Sequence, residues 1–253
     1  MPDGHPFRAL WLAAVDSTNE EARRLYHSGE AGPVWIVAEE QTAGRGRLGR
    51  SWVSEPGNLY ATLLVTLPVP LAVAAQASLV AALAMADAVK ALAPAIPVEL
   101  KWPNDVLLEG EKVSGILVET LAGGSPGGVP LAIGCGLNLA HAPEGQRRPA
   151  TCIARHGVVV SPRAALAALD RTLQARFAEW AEGRGFAKSR EQWMAAAGGL
   201  GAPIEIDIGG VRTAGTFLGL DAEGSLRLKL ADGAERTVRA GDVVPTSAQG
   251  ARA

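Results

Sequence analysis

Apolar and polar positions alternate over residues 8–15, which predicts a strand. Asp16-Ser17-Thr18-Asn19 follows, with Glu20 and Glu21 behind it, and this supplies cap residues and first-turn acids for a helix running to about Tyr26. The short apolar run 34–38 suits a buried strand, and 59–67, rich in Leu, Val and Thr, predicts another. Residues 73–92 are Ala-, Leu- and Val-rich and long enough for a helix that Pro94 and Pro97 close. Further strands are expected at 98–102, 106–108, 113–119 and 130–136. Glu109-Gly110-Glu111 between Leu108 and Lys112 reads as a hairpin turn, so part of the sheet is antiparallel, which argues against a doubly wound Rossmann arrangement.

Residues 141–150 show no periodicity, two prolines and the adjacent Arg147 and Arg148, which predicts a mobile surface loop able to close over a ligand. Leu166, Leu169, Leu173, Phe177 and Trp180 recur at helical spacing after Ser161-Pro162, and a second helix is expected over 186–197. Gly198-Gly199-Leu200-Gly201 then marks a boundary. Beyond it, 204–208, 211–220, 225–230 and 235–239 read as short strands joined by Gly-rich turns, which fits a small β barrel. The expected organisation is a mixed α/β unit over residues 1–199 and an all-β unit over 200–253.

Composition narrows the function classes. With 253 residues, 48% of them apolar, the chain supports a real core, and a formal net charge of −2 argues against broad nucleic-acid binding. The start lacks a basic-then-apolar signal pattern, and Gln76, Ser78, Asp87 and Lys90 interrupt the apolar stretch 72–92, so a cytoplasmic protein without a membrane span is expected. Cys135 and Cys152 lack Cys-x-x-Cys spacing and the histidines at 5, 27, 141 and 156 form no ligand pair, so no protein-held metal is expected.

Against that near-neutral background, Gly44-Arg45-Gly46-Arg47-Leu48-Gly49-Arg50-Ser51-Trp52 concentrates three arginines. Guanidinium groups suit carboxylate and phosphate, and the glycines permit φ > 0 and close approach to a ligand. The spacing matches neither a P-loop nor a dinucleotide fingerprint, so side chains are expected to hold the anion. Alone, the stretch also suits a solvated basic turn or a nucleic-acid segment. Lys101-Trp102-Pro103-Asn104-Asp105 gathers a cation, an aromatic, an amide and a carboxylate at a strand end, where a structural turn is the competing reading. Lys112 stands just before the buried run that continues through Gly115 to Glu119, a position either solvent-facing or lining a site. Gly134, Gly136 and Asn138 mark a strand end where backbone can approach a ligand, or simply pack tightly.

Taken in this order, these segments resemble the catalytic core of biotin protein ligases, and the terminal strands resemble that family's SH3-like domain. The resemblance implies the mixed sheet of the class II synthetase-like biotin/lipoate ligase fold. It also implies a two-step reaction: biotin and ATP, with Mg²⁺, give biotinyl-5′-AMP and pyrophosphate, and a lysine of a biotin carboxyl carrier protein then takes the biotinyl group. By the same resemblance Lys112 and Arg47 are the catalytic cations. Ser17, Thr18, Asn19, Gln41, Arg45, Gly46, Arg47, Lys112 and Gly115 meet biotin, while Arg47, Arg50, Trp52, Asn104, Asp105 and Asn138 meet ATP. The Asp16 segment begins too early for a preceding DNA reader, so a ligase without a repressor role or DNA partner is expected, with room left for a homodimer. A lipoate ligase is the neighbouring alternative, and a non-catalytic anion- or biotin-binding module is the alternative from another class.

Overall fold

A computed structural model describes residues 6–121, 127–145 and 149–244. In chain order the elements are β1 (Arg8–Val15), α1 (Thr18–His27), β2 (Val34–Gln41), β3 (Leu59–Leu67), α2 (Leu71–Ala74), α3 (Ala77–Leu92), β4 (Val98–Lys101), β5 (Asp105–Leu108), β6 (Glu111–Thr120) and β7 (Val129–Leu137). They continue with α4 (Pro162–Trp180), α5 (Phe186–Ala195), β8 (Pro203–Ile208), β9 (Val211–Leu220), β10 (Leu226–Lys229), β11 (Glu235–Val238) and β12 (Asp242–Val244).

The first seven strands form one sheet in the order β1-β2-β3-β7-β6-β5-β4, in which β1 and β2 run parallel and every other pair is antiparallel. The β5–β6 hairpin turns through Glu109 (φ 50°) and Gly110 (φ 82°), the pair of positive φ values that matches strand twist. Strand β2 is buried on both faces, which explains its continuous apolar run: Trp35 and Val37 enter the main core beneath α3 and α4, whereas Val34 and Ile36 join Ala22 of α1 on the opposite face. Each such Val, Leu or Ile contributes about 1.5–3 kcal/mol by leaving water. Helix α3 carries the apolar stretch 77–92 into that core, with Leu79, Val80, Leu83, Met85 and Val89 all buried.

The remaining strands form an antiparallel sheet in the order β11-β10-β9-β8-β12. This gives the SH3-like arrangement as an open strand order in which β11 and β12 are the two ends, not as a closed barrel. Trp102 Nε1 donates to Gly224 O at 3.3 Å across to this sheet, and a side chain at Gly224 would run into Leu79 and Phe186.

Three element expectations change. The single helix over 73–92 breaks after Ala74 and resumes at Ala77, and Gln76 at the join accepts from Trp180 Nε1 at 2.8 Å. Trp102 falls just outside β4, the Trp102–Pro103 peptide being cis. Strand β12 has no sequence precedent, because three residues are too few to show alternation. The loop expected at 141–150 lies partly outside the described residues, which omit 146–148.

Candidate active site

The N-terminus of α1, the β2–β3 loop and the strands β5, β6 and β7 converge on a cleft of about 310 Å³. All the site residues expected from the sequence line it: Ser17, Thr18 and Asn19 on α1, Gln41 at the end of β2, Arg45, Gly46, Arg47, Arg50 and Trp52 on the loop, and Asn104, Asp105, Lys112, Gly115 and Asn138 on or beside the strands. Asp207 and Asp242 line it too, and sequence reasoning missed both. They stand opposite each other in the β8–β12 register, a long-range pairing that no local pattern announces.

One wall is neutral and hydrogen-bonded. Ser17 is the N-cap of α1, as the sequence predicts, yet its side chain makes no capping bond, and it lines the cleft. The Thr18 backbone N–H and hydroxyl both donate to Gln41 Oε1, at 2.9 and 3.0 Å, and Gln41 Nε2 donates to Ser54 Oγ at 2.8 Å. Asn19 Nδ2 donates to Glu119 Oε2 at 2.7 Å. A Cβ on Gly134 would collide with Asn19 Oδ1, so glycine there is what admits the amide.

The arginine loop is folded back on itself. Trp52 N–H donates to Gly44 O at 2.9 Å and Gly46 N–H to Arg50 O at 2.7 Å. Of its glycines only Gly49 takes a left-handed φ (70°), and the adjoining left-handed residue is Leu48 (φ 58°). Gly44 is needed for space instead, since a Cβ there would come within 2.6 Å of Ser54 Oγ. The arginines are differently engaged. Arg45 pairs with Glu20 and, at 3.2 Å, with Glu119. Arg50 pairs with Asp242 at 2.6 Å. Arg47 forms no ion pair among the described residues and instead donates to Asn104 Oδ1 and Gly241 O, both at 3.3 Å. Burial draws its pKa down, with Asp242 and Asp105 opposing, and an arginine so placed remains a cation.

Two ammonium groups flank one carboxylate on the far side. Asp105 Oδ1 lies 2.6 Å from Lys112 Nζ and Oδ2 lies 2.6 Å from Lys101 Nζ. Burial pushes the Asp105 pKa up, but Lys112 and Lys101 outweigh it and hold the carboxyl at about 2. The Lys112 main chain is fixed by residues where the 141–150 segment closes: its N–H donates to Pro149 O at 3.0 Å and its carbonyl accepts from the N–H of Thr151, just past the segment, at 2.9 Å. The floor between these walls is Gly115 paired with Gly136 on β6 and β7. The Trp52 indole lies directly on it. A Cβ at Gly136 would meet the ring at 2.6 Å and one at Gly115 at 3.0 Å, and Lys112 Nζ stands 5.2 Å from the ring centroid. Trp52 Nε1 is buried without a partner, so its resting place on the glycine floor leaves one donor unsatisfied.

A cleft with donors and acceptors along one wall and four cations along the others suits a neutral polar ring joined to anionic groups. No cluster of three His, Cys, Asp or Glu side chains able to hold a metal occurs among the described residues.

Comparison with known proteins agrees with this geometry. Residues 11–138 match the Biotin/lipoate A/B protein ligase family and residues 199–244 match the Biotin protein ligase C terminal domain. The chain is 43% identical over 228 residues to the biotin--[acetyl-CoA-carboxylase] ligase of Paracoccus denitrificans, covering 86% of this chain and 92% of that one. It is 33% identical to the bifunctional ligase/repressor BirA of Escherichia coli, covering 94% of this chain and 74% of that one. Among solved structures, the biotin protein ligase of Aquifex aeolicus in complex with biotin and ATP superposes with a TM-score of 0.80 at 28% identity, covering 94% of this chain and 99% of that one. The chain belongs to the biotin/lipoate A/B protein ligase family, and within it to the biotin protein ligases.

Proposed function

We propose that this cleft joins biotin to AMP and passes the biotinyl group to a lysine of a carboxylase carrier domain. The observation that carries the reading is the meeting of Lys112, Arg47 and Arg50 with the neutral Ser17-Thr18-Asn19-Gln41 wall in one cleft. Adenylation brings a carboxylate to a phosphate, and two like charges about 4 Å apart repel by about 4 kcal/mol at a protein-surface dielectric. Lys101, Lys112 and Asp105 together carry one net positive charge, and Arg47 adds another. These cations offset the repulsion and stabilise charge that grows on the phosphoryl oxygens in the transition state.

In this reading Ser17, Thr18, Asn19 and Gln41 bind the ureido ring, Gly115 allows close approach, and Lys112 sits by the carboxylate. Arg45 and Gly46 border biotin, Arg47 bridges biotin and nucleotide, and Arg50, Trp52, Asn104 and Asn138 take the nucleotide side. Asp105 acts through Lys112, holding the ammonium charged and in place. Mg²⁺ would enter with the nucleotide phosphates, consistent with a cation that keeps several waters and needs only one or two carboxylates. The acceptor is a biotin carboxyl carrier protein, the reaction belongs in the cytoplasm where ATP is supplied, and residues 1–199 and 200–253 act as the catalytic and accessory units.

The test is pyrophosphate release with ATP, Mg²⁺ and either biotin, lipoate or octanoate. Biotin-dependent release alone supports the reading. Release with lipoate or octanoate alone would replace it with the lipoate ligase, and release with none would leave a binding module.

A further inference from the structure

Thr62 sits in the middle of β3, wholly buried, in a strand whose neighbouring residues are otherwise apolar. A hydroxyl at such a place must be hydrogen-bonded. Its Oγ1 lies 2.7 Å from Asn19 Oδ1 and 2.8 Å from Thr18 Oγ1, although Thr62 does not itself line the cleft.

Proton counting gives this cluster a direction. Asn19 Nδ2 is committed to Glu119 Oε2 at 2.7 Å and to Leu117 O at 3.3 Å, so the amide cannot turn over and its Oδ1 only accepts. The single Thr62 proton therefore serves Asn19 Oδ1, and toward Thr18 the Thr62 oxygen is an acceptor. Gln41 Oε1 is likewise an acceptor toward Thr18, since Gln41 Nε2 points to Ser54. The one Thr18 hydroxyl proton is then held between Thr62 and Gln41, inside the protein, and what Thr18 offers the cleft is lone-pair density. A ligand lying against it must bring an N–H.

We propose that Thr62 is a positioning residue for biotin recognition, fixing the Asn19 amide and the Thr18 hydroxyl so that the wall presents acceptors to ureido N–H groups. This rests on the reading of the cleft as a biotin site. Thr62→Val keeps the shape and β-branching of the side chain and removes the hydroxyl, leaving Asn19 Oδ1 without its donor and Thr18 without one of its acceptors. Thr62→Ser restores the hydroxyl.

The experiment measures biotin affinity by calorimetry without ATP, the KM for biotin and for ATP, kcat, and the thermal midpoint of each variant. Thr62→Val should bind biotin about tenfold more weakly and raise the KM for biotin alike, with kcat at saturating biotin and the KM for ATP within about twofold of the parent. Thr62→Ser should behave as the parent. If Thr62→Val does not fold, Thr62→Ala carries the same comparison. Parent-like biotin affinity in a hydroxyl-free variant overturns the proposal, as does a loss of kcat and ATP affinity in step with biotin affinity that serine does not rescue. A parent enzyme that releases no pyrophosphate with biotin would instead sink the functional reading, so the two failures are distinguishable.

Discussion

Lys112 Nζ lies 2.6 Å from Asp105 Oδ1 across the β5–β6 hairpin, and the opposite oxygen of the same carboxylate lies 2.6 Å from Lys101 Nζ. The lysine proposed above as the catalytic cation is thus held by a buried carboxylate that lies ionised between two ammonium groups, so stability, and under that proposal activity, depend on Asp105.

The pH consequence follows from the direction of the shift. Asp105 has its folded pKa depressed to about 2 from an ordinary value of 3.8, so its contribution is fully present above about pH 4 and is lost as pH falls through about 2. The stability lost in Asp105→Asn is expected to be about 2–3 kcal/mol at pH 7 and to shrink steadily below pH 4. Denaturant unfolding at pH 7 and at pH 3 checks this. An equal difference at both values would mean that the carboxylate charge contributes nothing.

Arg47 has no carboxylate partner among the described residues and makes two long hydrogen bonds to Asn104 and Gly241, so it is poised to exchange them for ligand oxygens. Arg47→Gly is expected to make adenylate but to hold it ten- to a hundred-fold more weakly, the loss of one charge-assisted bond being about 1.5–3 kcal/mol. Escaped adenylate would acylate lysines of an unrelated protein, read with labelled avidin. Bystander labelling at the parent level, with synthesis intact, would show that Arg47 does not retain the intermediate.

The open edge of the second sheet reaches the loop through the Arg50–Asp242 pair. With Arg50 more than half exposed, such a pair is worth up to about 1 kcal/mol, so Asp242→Asn should raise the KM for ATP about fivefold at most and leave biotin affinity alone. High salt should erase the difference. A change in biotin affinity that persists at high salt would point to a different role for β12.

Much of this site was legible because its parts are local. Lys112 and Gly115 share one strand, Ser17, Thr18 and Asn19 share one helix start, and the arginines share one loop, so each segment could be read locally, while the roles given to its residues came from the family resemblance. The partners of those groups were not legible. Asp242 meets Arg50 only because a three-residue strand pairs with β8, and Thr62 meets Asn19 only because α1 lies across β3. Within the strand Thr62 reads as an ordinary β-former. The loop glycines show the same limit: composition allowed φ > 0 or close approach at any of them, but the left-handed turn falls on Leu48 and Gly49, and Gly44 serves packing.

The central claim, that the Lys112 cation joins two anions in this cleft, is tested most directly by biotin-dependent pyrophosphate release from Lys112→Ala beside the parent. Lys112 is partly exposed and lines the cleft without filling a core position, and Lys101 still faces Asp105 in its absence, so the variant should fold, with a melting temperature lowered by the loss of one partner of that buried carboxylate. Removing a preorganised cation from the reacting centre is expected to cost about a hundredfold or more in adenylate formation. Parent-like release by the folded variant would contradict the account.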